Sequence, residues 1–247
     1  MQPVSSPLPQ AIAETNARSP RWFFLVMAAI MVVVVGWGFG PSLYLRGLGT
    51  ENLPLGLQAL PWYAWAHGVA LTTWFLLFAA QATLIASNRM EIHRSLGVVG
   101  AITATVVIVT TLVTIQHAIA TPVRSALQPV VLFFNLMGVV QFSVLVGCAL
   151  RFRRQPEVHK RLMFLANVPL LGAAVSRLPE ISELSPLIVP NLPLLLLAAL
   201  IARDLVVDRR LHRAVLWGGL VLLIAPRPIV AAFGLSGLGR TIAQALA

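Results

Sequence analysis

Residues 96–118 read LGVVGAITATVVIVTTLVTIQHA, twenty-three positions without an acid, a lysine or an arginine. As a helix this stretch is about 35 Å long, more than the roughly 30 Å of hydrocarbon in a bilayer. Six further apolar runs flank it. The full set of expected spans is Trp22–Tyr44, Trp62–Ser87, Leu96–Ala118, Pro129–Leu150, Lys160–Ala174, Pro186–Ala202 and Ala214–Val230. The reading is an all-α, polytopic transmembrane helix bundle of about seven spans. The chain divides into a disordered segment at 1–21, a helical membrane domain at 22–232 and a tail at 233–247. That tail, which contains GLSGLGR, is expected to form a short interfacial helix.

Composition agrees. Of 247 residues 58% are hydrophobic and only 11% charged, far below the charged share of a soluble domain. The polar, proline-containing start MQPVSSPLPQAIAETNARSPR suggests disorder. The run after it is too long and too far in for a secretory signal, so it reads as a retained span. Cys148 is the single cysteine, which rules out intrachain disulfides and cysteine-cluster metal sites. Inside an apolar run it reads as a small buried hydrophobe.

The net charge of +10 could suit a nucleic-acid binder, but the bases sit at the ends of apolar runs. The N-terminal segment and the loops after spans two, four and six hold Arg18, Arg21, Arg89, Arg94, Arg151, Arg153, Arg154, Lys160, Arg161, Arg203, Arg209, Arg210 and Arg213. The other loops between spans hold Arg46, Arg124 and Arg177. Thirteen against three places the N-terminus in the cytoplasm of a bacterial inner membrane, with the basic loops facing anionic lipid headgroups and no role for nucleic acid.

Polar residues in the spans fall at helical spacing. His67, Trp74 and Gln81 recur at steps of seven and share one stripe of span two. Thr103, Thr110, Thr114 and His117 share a face of span three, and Gln128, Asn135, Gln141 and Asn167 follow in spans four and five. These faces are expected to point into the bundle and to bond between helices. Gly97, Gly100, Gly138 and Gly147 are candidate points of close helix approach. Pro186, Pro190 and Pro193 make the outer end of span six irregular.

The topology sorts four of the five histidines by side. His67 and His117 lie toward the outside, His93 and His159 toward the cytoplasm; His212 belongs to the basic sixth loop. Two imidazoles from different helices at one depth are what bis-histidine ligation of haem iron needs, and neutral imidazole also suits Zn, Cu, Fe or Ni. Against this, His93 and His117 are separated by about 36 Å of helix, so at least one lies at or beyond the interface. Arg177, Glu180 and Glu183 cluster at the outer end of span five, as an ion-handling mouth or a solvated loop. No Walker loop, GxGxxG, HExxH, GxSxG or CxxC occurs.

The stretch HGVALTTWFLLFAAQATLIASNRMEIHRSLG at 67–97, followed by VHKRLMFLA at 158–166, resembles a group of uncharacterised bacterial multi-span membrane proteins with H…W…Q, HRxLG and HKRLM motifs. That group is distantly similar to four-helix haem-b membrane cytochromes and ferric-reductase-like proteins. The resemblance implies electron transfer with haem b, partnered by quinone or another membrane subunit. It carries ligand roles onto His67, His93 and His159, with Trp74 and Gln81 in support. His117 belongs to the pairing by side and not to the matched motifs, so the match leaves an odd number of histidines. Two other readings stand beside the haem- or metal-binding one: a non-catalytic scaffold or subunit of a larger complex, and a transporter of small solutes or ions.

Overall fold

The computed structural model describes residues 8–45, 60–120, 128–178, 181, 188–223, 233–234 and 236–245, with main chain alone for 8–21. Among these the chain is helical and no strand occurs. Helix α1 spans Leu8–Phe39 and ends in a π turn, Gly40–Tyr44. Then come α2 (Trp62–Ala86), α3 (Met90–Ile119) and α4 (Gln128–Arg151). The segments Trp22–Tyr44, Trp62–Ala86, Met90–Ile119 and Pro129–Arg151 are long and apolar enough to cross a membrane. The protein is an all-α helical membrane protein.

The remaining helices are shorter: α5 (Pro156–Ala166), α6 (Val168–Val175), α7 (Leu194–Val207) after a 3-10 turn at Val189–Asn191, α8 (Arg213–Leu223) and α9 (Gly237–Ala245). The fifth expected span is therefore two helices. Pro169 has no N–H to donate and its ring crowds the preceding turn. At the break the Asn167 amide N–H bonds Phe164 O, while its side-chain Nδ2 takes up Met163 O at 2.8 Å. Span six begins as a 3-10 turn in its proline-rich portion; Pro186 itself lies outside the described residues, as do Glu180, Glu183 and the end of the seventh expected span.

Two expectations at the termini resolve differently. The segment before Trp22 was expected to lack regular structure, but α1 is helical from Leu8. Once a span exists, extending it costs no new nucleus, and each added residue gains a hydrogen bond. The tail does form a helix, and it is anchored: the Phe233 ring meets Phe133 at 5.0 Å, and Gly234 lies against Val130 at the start of α4. Residues 233–234 thus sit at the end of the bundle opposite the basic loops.

Packing runs through Trp74, Phe142, Leu145, Phe164, Leu165 and Leu200, all buried. The opposite faces are apolar as well. Val98 and Ile102 on α3 are 64% and 60% exposed, a pattern that suits lipid and not water. Trp22 and Trp217 toward the basic end, and Trp37, Tyr44 and Trp62 toward the other, are also exposed, as interfacial aromatic belts require. Cys148 is exposed on α4, not buried, because its face of the helix looks outward.

Close helix approach does not occur where glycine spacing suggested it. Gly97 and Gly147 have nothing within 4 Å of an added Cβ, and Gly100 and Gly138 meet only ordinary contacts at 3.8 and 3.7 Å. A tight contact between helices is at Gly38, where a Cβ would lie 2.8 Å from the Ala174 carbonyl carbon and closer still to its oxygen. Main chain meets main chain there, so no rotamer change relieves the clash. Gly38→Val should destabilise the detergent-solubilised protein by about 1–3 kcal/mol or more, whereas Gly97→Val should be nearly neutral. Thermal unfolding of the two variants side by side checks this.

Candidate functional site: an imidazole pair at the basic end

The tight turn between α2 and α3 brings His93, in the first turn of α3, back beside Gln81 on α2. The turn between α4 and α5 does the same for His159, whose Nδ1 lies 2.8 Å from Ala149 O. Because a carbonyl only accepts, Nδ1 carries the proton in that contact, and Nε2 keeps its lone pair when the ring is neutral. The two imidazoles meet with centroids 6.5 Å apart and planes at 79°. Of the two pairs expected from sidedness, this one forms.

His93 faces the main chain at Gln81. Its Nδ1 is buried and, among the described residues, has no hydrogen-bond partner; the Gln81 side-chain Oε1 is in the same condition. Two orphaned buried polar atoms on neighbouring residues are unusual in a folded protein. Among the described residues no group of three or more His, Cys, Asp or Glu is placed to hold a metal ion.

The outer pair is not assembled this way. His67 Nδ1 lies 3.5 Å from Thr110 Oγ1, whereas the His117 ring stacks on Tyr63 at 4.0 Å and 22°, with Nδ1 2.9 Å from Val113 O. In the antiparallel α2–α3 pair His67 sits a helical turn deeper than Tyr63, so the two imidazoles lie at different depths. The other polar stripes mostly serve the fold. Thr103, Thr110 and Thr114 bond carbonyls of their own helix, four residues back. Asn135 is exposed, contrary to the expected inward orientation. Gln141 does reach across, from Nε2 to the Val221 and Leu222 carbonyls at 3.2 Å each. Trp74, 2% exposed, donates Nε1–H to Asn167 Oδ1 at 2.9 Å and thereby holds the α5–α6 break. Its indole fixes architecture and does not reach the histidines of the basic end by any described contact.

Beside the imidazoles stands a second polar cluster that sequence reasoning missed. Arg161 and Arg203 were counted among bases facing solvent or phosphate, yet both are buried. Arg161 is 1% exposed and Asp204 0%. Arg161 grips Asp204 through Nε at 3.0 Å and Nη2 at 2.8 Å, and reaches Asp208 from Nη2 at 2.6 Å. Arg203 Nη1 bonds the same two carboxylates, while Glu157 closes on both Arg161 and Lys160. Three bases face three acids. With these two arginines removed, eleven bases still face three, so the asymmetry survives.

The network also seats α8. His212 N–H donates to Asp204 Oδ2 at 3.2 Å, and His212 Nδ1 accepts the Ala214 N–H at 3.1 Å, so this histidine is the cap of α8 and not merely part of a solvated basic loop. Burial, then the nearby Arg161 charge, push the His212 imidazole below its ordinary pKa, which keeps Nδ1 able to accept. At Glu157, partial burial acts upward, but hydrogen bonds from Lys160 and Arg161 outweigh it and hold the carboxyl below its usual range.

Comparison of the chain with protein-family models, curated proteins and solved structures returned no match.

Two outcomes follow. Arg161→Met and Asp204→Leu should each destabilise by about 3–5 kcal/mol, since each strands a buried charge, and the double variant should lose less than the sum. Thermal unfolding in detergent reads both. For His212 the folded pKa is depressed, so its contribution is present above the unfolded value of 6.5 and is lost as pH falls through the lower folded value. His212→Asn keeps a capping acceptor without the titration. Its melting temperature should fall less steeply than the wild type's between neutral pH and about pH 5, with the cap worth about 1 kcal/mol.

Proposed function

We propose that this chain is a seven-span protein of a bacterial inner membrane whose imidazole pair, His93 and His159, ligates haem iron or a transition metal as an electron-transfer centre. The supporting observation is their approach to 6.5 Å from two different helices. Two imidazoles on one iron, with metal–nitrogen bonds of about 2.0 Å, hold their ring centroids roughly 6.4 Å apart. The unpartnered Nδ1 of His93 and the Nε2 of His159 are the donors such an ion would take. The bound group would supply one-electron chemistry. The protein's share is to fix both rings, through Ala149 and Gln81, and to place the centre at the basic end, where quinone or another membrane subunit is the partner.

Seven crossings are favoured by where the short helices begin and end. Segment α5–α6 runs from His159, beside Ala149, to Arg177, which lies over the Phe39 ring at the other end. Helix α7 returns to Asp204, and α8 leaves from the same network and reaches the level of Gln141 before the chain reappears at Phe233. The exposed bases Arg153, Arg154, Arg209 and Arg210 then face cytoplasmic anionic headgroups.

A scaffold role is the second reading, favoured by the number of polar side chains spent on holding helices together: Trp74, Gln141, Asn167 and Arg161. Optical spectra of purified protein, oxidised and dithionite-reduced, with metal analysis of the same sample, separate the two. The electron-transfer reading expects a haem-b spectrum or bound metal at near one equivalent, lost in His93→Ala and His159→Ala. A colourless, metal-free protein from haem-replete, metal-replete cells would leave the scaffold.

A further inference from the structure

The half of the bundle opposite the basic loops holds polar side chains that the imidazole pair does not use. Their floor is the contact between Trp74 on α2 and Phe142 on α4, both buried, with ring centroids 5.1 Å apart. Seven residues back along each helix stand His67 and Asn135. Seven residues make two turns and about 10 Å of rise, so both return to the stripe of the floor residues at one depth. Thr110 Oγ1 on α3 reaches the same level, 3.5 Å from His67 Nδ1. On α6, Asn167 is tied to Trp74 at 2.9 Å, and Arg177 follows ten residues later. The Arg177 guanidinium turns back to Ala173 O at 2.6 Å, which lowers its charge toward the depth of His67.

Asn135 shows that this level is open. Its neighbours on α4 at three, four and seven residues, Leu132, Val139 and Phe142, are all buried, yet Asn135 is exposed, as is Val131 one turn further out. A side of α4 turned to lipid stays exposed along the helix, whereas this one closes within a turn. The amide therefore faces an opening between helices and not lipid tails. Bare to hydrocarbon it would be costly, since it has no hydrogen-bond partner among the described residues. Arg177 is exposed as well, over the Phe39 ring at 4.8 Å, and among the described residues no carboxylate pairs with it. Its charge acts on the His67 ring.

From this arrangement we infer that α2, α3, α4 and α6 enclose a water-accessible cleft that binds a small organic monocarboxylate through Arg177 and Asn135. One cation among neutral polar groups is balanced by a single negative charge. The planar guanidinium offers parallel N–H donors that match two carboxylate oxygens, a fit that spherical chloride lacks. Phosphate at neutral pH carries more charge than one arginine offsets. The Asn135 amide supplies a further donor, and His67 with Thr110 forms the polar wall beside it. The buried Trp74–Phe142 contact closes the cleft below, so the ligand enters from the end opposite the basic loops. This site stands apart from His93 and His159 and does not depend on what they bind.

The test uses full-length protein in lipid nanodiscs and has two parts. In a Cys148→Ser background, Asn135→Cys should react with a charged methanethiosulfonate, which needs water at the thiol, at least about tenfold faster than Val140→Cys on the exposed apolar side of α4. Equilibrium dialysis with labelled acetate, lactate and benzoate in turn should show at least one binding near one equivalent. Arg177→Gln and Asn135→Leu should each weaken that binding about tenfold or more, whereas Arg153→Gln at the basic end should not change it. Circular dichroism checks that every variant remains helical. The carboxylate that binds should also slow the labelling of Asn135→Cys. Labelling of Asn135→Cys as slow as that of Val140→Cys would overturn the cleft. Binding of none of the three carboxylates, or equal binding to Arg177→Gln, would overturn the anion site. Displacement by chloride or inorganic phosphate at equal concentration would overturn the assignment to a carboxylate.

Discussion

A guanidinium sealed in the interior of a membrane protein must be neutralised on the spot, and the basic end of this bundle is arranged around that requirement. Arg161 meets Asp204 and Asp208, the only two aspartates in the chain, four residues apart in the last turn of α7 and at its C-cap. That pairing fixes α5 against α7, and the spare oxygen of Asp204 fixes the start of α8 through the His212 amide. Separate α5 from α7 and the buried Arg161 charge loses its aspartates, which costs more than the pair ever contributes. The three short helices that lack the length of a full span are thus tied at one end by charge.

Their other ends are tied by weaker means, and the break at Asn167 is the hinge between the two regimes. An amide side chain repairs the main chain where Pro169 prevents regular bonding, and Trp74 on α2 holds that amide in place. Beyond the break, α6 lies against α1 so closely that Gly38 meets the Ala174 carbonyl. His93 and His159 sit at the basic end, each against the helix that precedes its own. Both are positioned by local turns, and His93 Nδ1 is left without a partner among the described residues.

Much of the fold was legible because a bilayer imposes a simple rule on length and charge. The four long spans and the sidedness of the arginines follow from apolar runs and their flanks alone. The approach of His93 to His159 was legible too, since both precede spans that start on one side. What escaped were pairings that depend on three-dimensional neighbours. Arg161 and Arg203 look like any other interfacial base until Asp204 and Asp208 are seen beside them; an acid pair four residues apart after a long apolar run was the available signal. Glycine spacing misled for a related reason, because whether a glycine permits close approach depends on the facing helix, and Gly38 had no spacing signature. Threonine stripes misled in part: the Thr103 and Thr114 hydroxyls are satisfied four residues back on their own helix, while Thr110 also reaches His67 on α2.

Cys148 projects outward from α4, one residue before Ala149, whose carbonyl orients His159. It is also the chain's only sulfhydryl. Nature has therefore left a single attachment point for a nitroxide or fluorophore close to the imidazole pair, with no need to remove competing thiols. Such a reporter would work as a ruler of two kinds: its accessibility to lipid-soluble quenchers would measure immersion depth, and its relaxation would sense any paramagnetic centre lodged between the two rings.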